Sequence, residues 1–265
     1  MHRFALLVVA ASVCLGVACI DMSAPPGAAS ISVLLLPSPS VVVGDTMRDS
    51  LGVAAPLSVA AFDGNNQKLT GIAPLFFISD SSHTAHLKGG NVLVGDKLGT
   101  VQLIGQVSGL QTPPVSVTVT VAPKKFAVAL PLPDTVRAPF PTDSASSMGS
   151  SVLSVTLTGG PDSAAQGFVV KYTMGHKPES KPGATAVYLV DPELGHIATT
   201  DTTDGSGGAS RKLVVNSFLL TDPALLAGTA VDSAVVVVRT TYKGVAVSGS
   251  PVTFVVRIKV LPPGR

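Results

Sequence analysis

VSVTVTV, residues 115–121, is the stretch that decides the fold class. Valine occupies every odd position, and serine or threonine occupies every even position. Successive side chains of a β-strand point to opposite faces, so this period of two predicts a strand that is buried on one side only. We expect Val117 and Val119 to face a core and Thr118 to face solvent.

Segments of the same kind lie upstream of this strand. Residues 99–107 alternate in the same way, and LFFI at 75–78 predicts a strand buried on both faces. DGNN at 63–66 predicts a tight turn, because Asp, Gly and Asn tolerate turn backbone. About seven short strands between residues 30 and 122 are typical of an immunoglobulin-like β-sandwich.

A second set of strand patterns follows the break at Pro123-Lys124-Lys125. The Ser-rich residues 142–151 predict a mobile loop. We therefore expect an all-β protein with two tandem immunoglobulin-like β-sandwiches, over residues 30–122 and 123–265. The segments that predict strands in the second sandwich are 126–130, 152–157, 167–172, 187–190, 212–215, 235–241 and 252–260.

Short motifs in the first half resemble the bacterial group 2 Ig-like domain. They occur in the order VGDT (43–46), FISD (77–80), GGNV (89–92) and GT (99–100). The resemblance implies that Phe76 or Phe77 replaces the family's central tryptophan and that residues 47–55 are an insertion. In the second half, the pattern Thr-Asp-x-x-Gly-x-Ala at 203–209 resembles the invasin-type (group 1) bacterial Ig-like domain.

The beginning of the chain has the layout of an export signal. A basic start with His2 and Arg3 precedes the apolar residues 4–13, and small residues follow. The apolar run is shorter than the roughly 20 residues that a membrane span needs. Gly16 and Ala18 satisfy the small-x-small rule for cleavage, so residues 1–18 are predicted to be a signal peptide.

The predicted cut falls immediately before Cys19. The run Leu15-Gly16-Val17-Ala18-Cys19 resembles a bacterial lipoprotein lipobox, which implies that the thiol of Cys19 is acylated. Residues 19–29 would then form a tether. Ile20 follows the cysteine where inner-membrane lipoproteins tend to carry Asp, so we expect an outer-membrane or cell-surface lipoprotein. Plain secretion or a periplasmic location is the alternative.

Composition restricts the function further. Lys and Arg number 18 against 16 Asp and Glu, and this near balance argues against a nucleic-acid partner, which a clustered basic stripe would indicate. The two cysteines are Cys14 and Cys19, and the predicted cut leaves only Cys19. No disulfide can therefore form within the processed chain.

Few residues suggest a chemical site. Asp201 and Asp204 are weak candidate Ca²⁺ ligands, although a turn in which Asp204 organises backbone amides and Gly205 and Gly207 have positive φ is favoured. His83 and His86 could hold a metal on a helix, but on a loop or strand a spacing of three puts their side chains on opposite faces. Solvent-exposed histidines are therefore favoured. Three tyrosines could stack on a carbohydrate but are expected to pack in the core or at an edge: Tyr172, Tyr188 and Tyr242.

These observations predict a non-catalytic, membrane-anchored protein without a cofactor. Its role would be structural or adhesive, with a cell-surface protein or glycan as possible partner, and loops or strand edges as the binding surface. The alternative is an extracytoplasmic protein that binds a carbohydrate or small ligand through the loops 131–151 and 174–184.

Overall fold

The computed structural model describes residues 28–79, 83–131, 135–143, 146–160 and 163–262. Strands dominate these residues, and helix is limited to a 3₁₀ turn at Ser217–Leu219 and a short helix, α1, at Pro223–Leu226. Asp222 caps α1 by accepting a hydrogen bond from the Ala224 amide at 2.9 Å. Among the described residues, no helix is both long and apolar enough to cross a membrane.

The first sandwich consists of a sheet with strand order β2-β9-β7-β4 and two separate hairpins, β1-β3 and β5-β6. In immunoglobulin terms these are A′-G-F-C, A-B and D-E. A short strand, β8, pairs with β7. The strands are β1 Ser30–Leu35, β2 Ser40–Val42, β3 Ser58–Phe62, β4 Leu75–Ile78, β5 Ala85–Lys88, β6 Val92–Gly95, β7 Gly99–Val107, β8 Leu110–Gln111 and β9 Val115–Thr120.

The second sandwich has two five-stranded sheets. The order β10-β12-β17-β15 corresponds to A-B-E-D, with β13 beside β12, and β11-β21-β18-β14 corresponds to A′-G-F-C. The edge strand β16 lies between D and E in the chain but pairs with C. The strands are β10 Lys125–Val128, β11 Thr135–Ala138, β12 Met148–Gly160, β13 Ser163–Ala164, β14 Val169–His176, β15 Val187–Val190, β16 Thr200–Thr202, β17 Gly208–Asn216, β18 Asp232–Arg239, β19 Thr241–Tyr242, β20 Val245–Ala246 and β21 Val252–Val260.

The buried apolar side chains form two clusters. One collects residues between Leu34 and Val119, and the larger one collects residues between Phe126 and Val260. The alternation in residues 115–121 is confirmed for Val117 and Val119, which are buried in the first cluster, but Thr120 is buried as well. The prediction of an all-β fold built from two immunoglobulin-like sandwiches is confirmed as well.

Two local predictions were wrong. The strand β4 is one-sided, because Phe76 is 7% exposed while Leu75 and Phe77 are 60% and 43% exposed at a sheet edge. The Ser-rich residues 142–151 are only partly a loop, because β12 begins at Met148 and pairs with Asn216. A run of serines does not prevent a strand when a long partner such as β17 supplies the ladder.

The registers place the two ends of the described chain at opposite ends of the molecule. Ser30 pairs with Phe62 at the outer end of the first sandwich. Val260 pairs with Ala138 at the outer end of the second sandwich. The facing ends of the two sandwiches meet at the connection through residues 121–124, where Gln166 donates its amide to Thr120 Oγ1 at 3.0 Å.

Candidate functional site

The predicted lipidation residue, Cys19, lies outside the described residues, as do the whole predicted signal peptide and most of the tether. Both assignments therefore stay predictions.

Asp204 organises a turn before β17. Its Oδ1 accepts hydrogen bonds from the amides of Ser206 at 2.8 Å and Gly208 at 2.9 Å. The Ser206 hydroxyl also donates to it, and these bonds lower the pKa of Asp204 although burial opposes ionisation. Gly207 has the expected positive φ, but Gly205 does not. The turn that the sequence favoured therefore forms, with Asp204 Oδ1 as its acceptor.

Asp201 belongs to a different arrangement, centred on Arg211. The Arg211 side chain is only 6% exposed and lies 3.4 Å from Asp201 and 3.3 Å from Asp191. It also donates to the carbonyl oxygens of Thr200 and Ser210. Two carboxylates and two carbonyls thus surround one buried guanidinium, which offsets the cost of removing it from water.

The Arg211 cluster joins the two sheets along one side of the second sandwich. Asp201 lies on the edge strand β16, and Asp191 follows the opposite edge strand β15. Sequence reasoning missed this cluster. The signal was present, since Arg211 shares the inward register of β17 with Ala209 and Leu213, where a charge is unexpected.

A cavity of about 460 Å³ opens beside this cluster. Its walls include Asp191, Glu193, Asp204 and Arg211 together with outward residues of β12. Hydrogen bonds from the amides of Leu194 and Glu193 lower the pKa of Asp191. No group of three metal-ligating side chains occurs in the part of the chain that the structure describes. The cavity can accept a small polar molecule, although three of the carboxylates in its lining, Asp191, Asp201 and Asp204, already accept from protein donors.

The histidines do not form a pair. His86 lies on β5, is exposed, and contacts Asp96 at 2.8 Å through Nδ1. His83 is exposed just before that strand, with φ of 52°. The expectation of solvent-exposed histidines agrees with these positions.

The tyrosines do not form a stacking platform either. Tyr172 is 1% exposed in the core of the second sandwich, and burial raises the pKa of its hydroxyl. Tyr188 lies on β15, in the opposite sheet. Tyr242 is half-buried where the sandwiches meet and donates to Asp45 at 2.6 Å. Core and edge packing, the favoured interpretation, describes these positions.

The outer end of the second sandwich is a set of three connected loops, here called the loop end, whose described residues are 139–143, 146–147, 177–186 and 217–231. Ser217 donates its amide to Ser147 and its hydroxyl to Pro139, at 2.9 and 2.5 Å. Lys181 donates its amide to Leu219 at 2.9 Å. The candidate loops 131–151 and 174–184 both contribute to the loop end, but parts of them are strand: residues 135–138, 148–151 and 174–176.

Comparisons with known proteins give architectural likenesses only. No protein-family model and no curated protein sequence matches the chain. Solved structures similar to it include the Yersinia pseudotuberculosis adhesin InvE, at 15% identity over 86% of this chain and 58% of InvE, with a TM-score of 0.32. Domains 4 and 5 of the S-layer protein SbsC match at 12% identity over 88% of this chain and 99% of theirs, with a TM-score of 0.31.

The D0-D1 domain of intimin is similar at 14% identity over 86% of this chain and 98% of that one, with a TM-score of 0.27. Likenesses this low do not carry a function from one chain to another. The immunoglobulin-like assignment therefore rests on the strand order of the chain itself.

Proposed function

We propose that this chain is an exported, membrane-anchored and non-catalytic protein of the cell envelope, with a structural or adhesive role. The single observation that carries the proposal is that the two ends of the described chain lie at opposite ends of the molecule. A lipid on Cys19 would hold the first sandwich near the membrane, and the loop end would then face away from it. A surface-exposed protein or glycan is the partner class that suits such a surface.

The finer family assignments belong to the same proposal. The first sandwich would be a bacterial group 2 Ig-like domain and the second an invasin-type (group 1) domain, with an outer-membrane or cell-surface location. The buried Phe76 supports the first assignment, because it occupies the core position on β4 where the resemblance expects the replaced tryptophan.

Metabolic labelling with a palmitate analogue tests the anchor. The two cysteines allow a matched comparison of Cys19→Ala with Cys14→Ala in the full chain. We expect label on the wild type and on the Cys14→Ala variant, and none on Cys19→Ala. Equal labelling of all three chains would contradict an anchor at Cys19.

A second candidate function is binding of a carbohydrate or small polar ligand. The observation in its favour is the polar cavity of about 460 Å³ beside Arg211. A glycan array on the processed chain separates the two candidates. Saturable sugar binding that is lost in an Asp191→Asn variant would favour ligand binding, and binding that survives this change would assign the contact to another surface such as the loop end.

A further inference from the structure

We propose that residues 45–55 form a lock between the two sandwiches, which makes them one rigid body. The lock gives a role to residues 47–55, which the family resemblance treats only as an insertion. It holds whether or not Cys19 is acylated, so it stands apart from the proposed anchor.

The lock segment is fixed to the first sandwich. Met47 is fully buried in the first core. The hairpin above it closes through hydrogen bonds from the Ala55 amide to Met47 and from the Asp49 amide to Val53, at 3.1 and 2.9 Å. A segment tied in this way can transmit force to whatever it contacts.

Asp45 is the polar centre of the contact. Its carboxylate accepts hydrogen bonds from Arg48 Nε at 2.9 Å and from the Tyr242 hydroxyl at 2.6 Å, and Lys243 Nζ lies 3.3 Å away. Arg48 belongs to the lock, whereas Tyr242 and Lys243 belong to the F–G connection of the second sandwich. The Asp45 carboxylate of the first sandwich is thus held by donors from both sandwiches.

Backbone contact accompanies this polar centre. A Cβ on Gly52 would lie 2.0 Å from the Gly244 nitrogen and 2.4 Å from the Lys243 carbonyl carbon, so no side chain fits there. Arg48 also donates to the Gly52 carbonyl at 2.8 Å. The second sandwich therefore presses directly on the backbone of the lock.

A second set of contacts limits rotation about the connection. Ser40 donates its hydroxyl to the Gly167 carbonyl at 2.8 Å, and a Cβ on Gly167 would lie 2.5 Å from Ser40 Cβ. A Cβ on Gly159 would lie 2.3 Å from Val121 Cγ2. Gly52, Gly159 and Gly167 thus lie at positions where a side chain would collide with the facing residues, as expected of a close-packed interface.

The lock also determines which surface remains free. The B–C and F–G connections of the second sandwich contact the first sandwich through Gly167 and Tyr242. In this family of folds those connections gather at one end. The loop end lies at the opposite end of the second sandwich, away from these contacts, and is the surface proposed for a partner.

Amide ¹⁵N relaxation tests the lock on the processed chain carrying Cys19→Ser. We expect one rotational correlation time shared by both sandwiches. Gly52→Ala should abolish the shared value, leaving each sandwich with a shorter one of its own. Gly71→Ala is the matched control, because Gly71 has a similar φ of 75° but open space around its Cβ position, and it should keep the shared value.

Two separate correlation times in the parent chain would overturn the proposal, as would a shared value in Gly52→Ala. If Gly52→Ala unfolds and loses its dispersed amide spectrum, a double-mutant cycle tests the lock instead. It compares Asp45→Asn, Tyr242→Phe and the variant that carries both changes. A combined shift in melting temperature smaller than the sum of the single shifts supports the lock, and additive shifts contradict it.

Discussion

The two sandwiches share one strand order but use the same connection differently. In each, the connection between strands A′ and B lies at the end reached by strand G, because A′ runs parallel to G. In the first sandwich this connection carries the lock and meets the second sandwich. In the second it carries residues 139–147 and belongs to the free loop end. Equivalent surfaces thus serve as an internal joint in one case and as an exposed face in the other.

The sheets reflect this difference. The A-B-E-D sheet of the second sandwich is a continuous ladder in which β12 and β17 pair from Met148 to Thr156. In the first sandwich the same four strands form two hairpins, and the Leu57 amide donates a hydrogen bond to the Asn91 carbonyl at 2.8 Å between them. The first sandwich also has the smaller core.

The two sandwiches differ most in the residue that strand E buries. The first sandwich buries Leu93 there, whereas the second buries Arg211. We expect Arg211→Ala to lower the free energy of unfolding of the second sandwich by about 4 kcal/mol, because two carboxylates would be left without their cation. Urea unfolding followed by circular dichroism measures it. Arg239→Ala, at an exposed position on β18, should change the value by less than about 0.5 kcal/mol, and an equal loss in both variants would refute the role of the cluster.

The one-sided strand β4 gives the next largest effect. Phe76→Ala should cost about 3 kcal/mol of stability in the first sandwich, because it empties a core position. Phe77→Ala removes the same atoms from a side chain that is 43% exposed, and it should cost about 1 kcal/mol or less. Equal costs, measured by the same unfolding experiment, would mean that β4 is buried on both faces.

Acid should weaken the joint through Asp45, because protonation removes the negative charge that donors from both sandwiches share. Burial opposes the ionisation of Asp45, but hydrogen bonds from Arg48, Tyr242, Thr46 and Lys243 outweigh it and hold its pKa well below the ordinary value. A depressed pKa contributes stability that is complete above the unfolded value of about 4 and is lost as the pH falls through the folded value. We expect Asp45→Asn to remove about 2 kcal/mol at neutral pH and to flatten the acid dependence.

Melting temperatures between pH 7 and strongly acidic conditions measure this dependence. Tyr242→Phe removes one donor and leaves the charge, so it should reduce the slope without abolishing it. An unchanged slope in Asp45→Asn would show that other carboxyl groups carry the acid sensitivity.

Much of the fold followed from alternation, which is a local property. The valines of β9 and the inward set Phe168, Val170 and Tyr172 lie where the period of two places them. The turn at 63–66 also forms as expected, with Asp63 accepting from the amide of Gln67 at 2.9 Å. Local alternation was sufficient to predict a strand wherever one of its faces is exposed to solvent and the other is buried.

The features that sequence missed depend on partners far away in the chain. Asp45 and Tyr242 are 197 positions apart, and nothing near either residue indicates the other. The exposure of Phe77 depends on β4 lying at a sheet edge, which composition does not reveal. Arg211 is a partial exception. Its inward position could be predicted from the alternation of β17, but its two carboxylate partners could not be predicted from the sequence.

The smallest expected effect concerns the turn at Asp204. Asp204→Ala should cost about 1 kcal/mol, because two amides lose their acceptor. Millimolar calcium should leave the melting temperature of the wild type unchanged, because the turn already uses the carboxylate. A rise in melting temperature that disappears in Asp204→Ala would instead assign a calcium site there.

The distance between the two outer ends is the most direct test of whether the two sandwiches are locked end to end. Spin labels at Asn65→Cys and Glu179→Cys, in the Cys19→Ser chain, mark the outer end of the first sandwich and the loop end. Each sandwich is about 30 Å long, the length of a nine-residue strand such as β7, so we expect a narrow distribution near ~60 Å. A broad distribution, or one centred well below this distance, would contradict the locked end-to-end arrangement.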